Sequence, residues 1–116
     1  MPAALAQRLR DEGLVAPDHD GRGLVNVAAT VIDILGLHDA SDPPPLADLE
    51  PELREGATGV VLIVADGLGW EQLRSLRARG ELPFITSLMA RAERGEGAQL
   101  LRATTIFPST TTAAIS

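Results

Sequence analysis

Apolar positions near the start of the chain recur at helical spacing. Leu5, Ala6 and Leu9 share one side, Arg8, Arg10 and Asp11 lie outside it, and Gly13 supplies a stop, so residues 2–12 are expected to form a short amphipathic helix. VAPDHDGRG is turn chemistry. LVNVAATVIDILGL then places apolar residues on nearly every side, which predicts a mostly buried helix capped near Gly36. The stretch HDASDPPPLADLEPELREGATG is rich in proline and acid and reads as a connector with at most one brief turn of helix.

Beyond the connector the pattern changes. GVVLIVADG is a continuous run of β-branched residues and leucine, the signature of a strand covered on both faces. WEQLRSLRARG puts Trp70, Leu73 and Leu76 on one helix face, with Arg74, Arg77 and Arg79 opposite and Gly80 at the end. LPFITSLMARAERG repeats the plan, with Pro83 in the first turn, Phe84, Leu88 and Ala92 facing inward and Gly95 as terminator. AQLLRATT reads as a second strand and FPSTTTAAIS as a loop entering a helix. The order strand, helix, helix, strand, helix predicts an α/β fold. The chain divides into an N-terminal helical region (1–40), a connector (41–58) and the start of an α/β domain (59–116).

Composition narrows the chemistry. A net charge of −6 argues against a nucleic-acid duplex or an anionic membrane as partner, because such binders cluster Lys and Arg. With no cysteine, disulfides and thiolate metal sites are excluded and a metal must be held by oxygen or imidazole. The first residues carry charge where a secretory signal would be apolar, and the longest apolar stretch is interrupted by Asn26, Thr30 and Asp33, so a cytoplasmic location is expected.

Two features are candidates for chemistry. Asp66 is the first polar residue after the predicted strand, the position at which open α/β sheets bind ligands, and its carboxylate can hold a cation. Asp-Gly is equally a turn dipeptide whose acid caps a following helix. The serine and threonines at 109–112 stand at the expected start of a helix, where free N–H groups favour a phosphate, and a hydroxyl there could act as a nucleophile. They serve just as well as helix caps. The dinucleotide fingerprint fails because Gln72 stands where its third glycine belongs, and a P-loop is excluded because the chain has no lysine. His19 and His38 are expected in exposed loops.

Taken in order, VLIVADGLGW, LPFITSLMARAERG and TTIFPSTTTA resemble the opening of the alkaline phosphatase superfamily, in particular its nucleotide pyrophosphatase and phosphodiesterase branch. The resemblance spans residues 59–116 and implies part of a sheet sandwiched by helices. It implies that Asp66 binds one of two divalent ions, usually zinc, and that Thr111 of the Pro-x-x-Thr element beginning at Pro108 coordinates that ion and attacks phosphorus, with Thr110 the second candidate. The implied substrate is a small phosphate ester or nucleotide. Thr111 is followed by Thr112, Ala113 and Ala114, unlike the Phe-Pro-Asn-like sequence of the animal phosphodiesterases, so substrate preference does not carry over. The family's remaining Asp and His ligands lie downstream of the nucleophile, so the chain is expected to be the N-terminal part of a longer enzyme, inactive alone. The alternative is a non-catalytic α/β interaction module.

Overall fold

The computed structural model describes residues 2–105. Four helices account for its regular structure: α1 (Ala3–Asp11), α2 (Leu24–Ile34), α3 (Trp70–Ala78) and α4 (Pro83–Glu93), with a 3-10 turn at Pro51–Leu53 inside the connector. The expected α/β fold is not found. Among the described residues there is no sheet, and the sole β pairing is an isolated parallel bridge between Gly23 and Thr104. The physical reason is that a strand exists only through a partner. Residues 59–65 adopt no helix, yet their backbone groups make no hydrogen bond to any other described residue. Their apolar side chains are exposed rather than covered on two faces. AQLLRATT likewise forms no strand, and only Thr104 pairs.

The described chain forms two compact units, one comprising residues up to Asp48 together with those from Ala103 onward, the other Leu49–Arg102. In the first, α1 carries no buried residue and rests on local bonds such as Gln7 Nε2 to Asp11 Oδ1 at 2.8 Å. The centre of the unit is polar. Asn26 in the first turn of α2 is fully buried; its Oδ1 accepts from the Gly23 N–H at 2.9 Å, and its Nδ2 donates to the carbonyls of His19 at 2.9 Å and Pro44 at 2.7 Å. One turn on, Thr30 Oγ1 donates to the Asn26 carbonyl at 2.7 Å and accepts from the Leu46 N–H at 2.8 Å. These bonds strap the proline-rich connector onto α2, and Ala29 is the buried apolar residue beside them. The helix expected to be mostly buried is therefore half-covered, with its later apolar positions only partly shielded.

Thr104 closes the same unit from far along the chain. Its hydroxyl accepts from the Asp18 N–H at 2.7 Å, its carbonyl accepts from the Leu24 N–H at 2.9 Å, and its N–H donates to the Arg22 carbonyl at 2.9 Å. Arg22 in turn pairs with Asp48 at 2.8 Å, and this bond pulls the Asp48 carboxyl below its ordinary value.

In the second unit, Trp70, Leu73 and Leu76 of α3 are half-buried as the spacing predicts. The inward face of α4 differs from expectation. Phe84 is 73% exposed, whereas Met89 is buried, Ile85 and Ala92 are partly covered, and Leu88, 36% exposed, lines the edge of a shallow hollow. Ala92 keeps the expected side, and the inward face is centred on Met89 with Ile85 in place of Phe84. Ala98 and Leu100 share that hollow with Ile85 and Met89, and Arg77 of α3 reaches Glu93 of α4 at 2.7 Å. Gly80 sits at φ 71°, a left-handed conformation that ends α3 where the sequence places the stop.

Candidate functional site

Asp66 stands in the turn between the extended segment and α3, with Gly67 at φ 72° making the reversal possible. The helix opens at Trp70 with Gly69 as its N-cap, and no side chain caps it. The acid is thus not used as a cap. Among the described residues the Asp66 carboxylate takes part in no hydrogen bond or ion pair, and the residue is exposed. That arrangement leaves both carboxylate oxygens open to a ligand. It does not by itself make a metal site: among the described residues no group of three or more His, Asp or Glu side chains could hold an ion. One carboxylate is one donor of the several a divalent cation needs.

The other half of the predicted site, Thr111 with its alternative Thr110 and the preceding Pro108, lies outside the described residues. The helix expected between the two elements from its own residue pattern opens at Pro83 with Gly95 just beyond its end. Both histidines are in exposed loops; the His38 ring Nε2 is 3.2 Å from the Pro43 carbonyl.

The sequence offered no signal for a second feature. A cavity of about 440 Å³ opens between α3 and α4, lined by Trp70, Arg74, Arg77, Thr86, Met89 and Glu93 among others. The Arg102 guanidinium lies 5.0 Å from the centroid of the Trp70 ring. Thr86 Oγ1 is buried with no hydrogen-bond partner among the described residues. The Arg77 guanidinium bonded to Glu93 holds that carboxyl below its ordinary value. Residues so far apart in sequence meet only through packing, so no local motif announces them.

No family model, curated protein or solved structure matches this chain.

Proposed function

We propose that this chain contributes to a metal-dependent phosphohydrolase of the phosphodiesterase or nucleotide pyrophosphatase type, located in the cytoplasm. Asp66 is the ligand to one of two divalent ions, zinc by resemblance, and such a pair neutralises charge on the phosphoryl group when bound. Thr111 is the nucleophile. Its hydroxyl oxygen bonds to phosphorus, the bond to the leaving group breaks, and water then releases the phosphoryl or nucleotidyl group from the threonine. The observation carrying this reading is the Asp66 carboxylate, which follows an apolar extended segment, caps nothing and is held by no other described group.

The exposed apolar segment favours a second reading, an interaction module in which Asp66 only shapes a turn. One assay separates the two. The complete gene product is supplied with zinc and tested on a p-nitrophenyl phosphodiester and monoester. On the first reading Thr111→Ala abolishes turnover while metal binding stays largely intact, and Asp66→Asn lowers metal affinity. Wild-type turnover by Thr111→Ala, or metal content unaffected by Asp66→Asn, removes the corresponding assignment.

A further inference from the structure

Thr104 is held through its hydroxyl, its N–H and its carbonyl together. The hydroxyl accepts from the Asp18 N–H at 2.7 Å and donates to the Asp18 carbonyl at 3.4 Å. The N–H donates to the Arg22 carbonyl and the carbonyl accepts from the Leu24 N–H, both at 2.9 Å. These two backbone bonds straddle Gly23 in a parallel bridge, so they fix the direction of the chain as well as its place. The bridge is a single pair and extends into no ladder, so as sheet it adds little. What it supplies is a fixed point of departure for the residues that follow.

The far side of the bridge is itself held. The Gly23 N–H donates to Asn26 Oδ1 at 2.9 Å, and the fully buried Asn26 is bonded in turn to the carbonyls of His19 and Pro44. A Cβ on Gly23 would run into the Asp18 carbonyl, so residues 18 and 23 lie in close approach. Thr104 bonds to the backbone of residue 18 and on both sides of residue 23. A continuous set of bonds thus runs from the buried amide of Asn26 to the hydroxyl of Thr104.

Thr111 follows Thr104 by seven residues, a span of at most about 25 Å at full extension. Pro108 fixes one backbone angle between them. A nucleophile displaced by about 1 Å loses on the order of a hundredfold in rate, so a fixed point close before it in the chain has kinetic value. We infer that Asp18 and Arg22–Leu24 clamp the stretch entering the Pro108–Thr111 element, with Thr104 as a positioning residue for the nucleophile. The inference rests on the reading of Thr111 proposed above. It gives the N-terminal helical region a part in the reaction, exerted through the backbone that follows Thr104 and not on the substrate.

The test uses the complete gene product with zinc, as wild type, Thr104→Val, Thr104→Ser and Thr111→Ala. Valine keeps the branched shape and removes the hydroxyl, whereas serine retains it. Turnover of a p-nitrophenyl phosphodiester and hydrogen exchange of peptides covering residues 106–116 are the two readouts. Thr104→Val is expected to lower kcat about tenfold with KM and zinc content unchanged. Exchange over 106–116 is expected to be about threefold to tenfold faster, while peptides from α3 and α4 exchange as in wild type. Thr104→Ser is expected to restore both values. A role in stability alone would lower the urea midpoint and leave the kcat of the folded enzyme unchanged. Wild-type kcat or wild-type exchange over 106–116 in Thr104→Val overturns the inference, as does serine behaving like valine. Wild-type turnover by Thr111→Ala removes the nucleophile reading and with it the role in turnover. The exchange readout needs no turnover, so it decides the clamp whichever ester the enzyme prefers.

Discussion

The side-chain amide of Asn26 donates to the carbonyl of Pro44 at 2.7 Å, a bond spanning 18 residues that ties the start of α2 to the proline-rich connector. The same amide group holds His19, and the Asn26 oxygen holds the Gly23 N–H. A fully buried asparagine thus satisfies three backbone groups at once. Asn26→Leu keeps the number and branching of the side-chain heavy atoms and removes all three bonds. It is expected to destabilise the N-terminal unit by about 3 kcal/mol, read from the urea midpoint, because buried partners are left unpaired. A loss below about 0.5 kcal/mol means the network contributes nothing beyond shape.

Gly23 admits no side chain. A Cβ there would run into the Asp18 carbonyl and approach Asn26 Oδ1 at 3.3 Å. Backbone on the opposing side cannot swing away as a side chain can. Gly23→Ala is expected to cost about 1–3 kcal/mol, whereas Gly59→Ala, which meets open space, is expected to leave the midpoint unchanged. Equal effects at the two glycines would show that crowding at Gly23 is relieved by local movement.

Acid should loosen both units. Asp48 is held below its ordinary value first by its hydrogen bond from Arg22, and Glu93 by its hydrogen bond from Arg77. A carboxyl whose folded value is lowered stabilises the fold above its unfolded value of about 4 and loses that contribution as pH falls through the folded value. Both pairs are solvent-exposed, so the effect is small and is screened by salt. The urea midpoint is expected to fall as pH drops from about 6 to about 3, with part of the fall missing in Glu93→Gln. A variant profile that parallels wild type would remove the Arg77–Glu93 pair as a contributor.

Trp70 is the only tryptophan in the chain, so its emission reports a single environment. With the Arg102 guanidinium 5.0 Å from its ring centroid, Arg102→Gln is expected to change the emission intensity and to cost about 0.5–1 kcal/mol. Arg79→Gln, whose guanidinium pairs with Glu81 instead, is the control expected to leave the spectrum unaltered.

All four helices could be read from the chain because helix signals are local. Leucine spacing, Pro83 and the glycines after each helix lie within a few residues of what they control. The absence of a sheet among the described residues could not be, because GVVLIVA describes only what a strand needs around it, while pairing depends on residues elsewhere. Phe84 shows the limit even within a helix: its neighbour Ile85 continues the apolar pattern equally well, and packing in this unit turned Ile85 inward. Asn26 looked like an interruption of an apolar helix and is the residue that organises its unit. The exposed turn position of Asp66 was legible because a single charge ending an apolar run has few places to go.

The bonds made by Thr104 reach back 86 residues to Asp18. A ribosome emits the chain from its amino end, so α1, α2 and the connector leave the exit tunnel long before the residue that closes their unit exists. During that interval the Leu24 N–H and the Arg22 carbonyl lack the partners they have in the finished molecule. Synthesis thus delivers Leu49–Arg102 in full before the N-terminal unit can be sealed, because the threonine that seals it follows Arg102 in the chain.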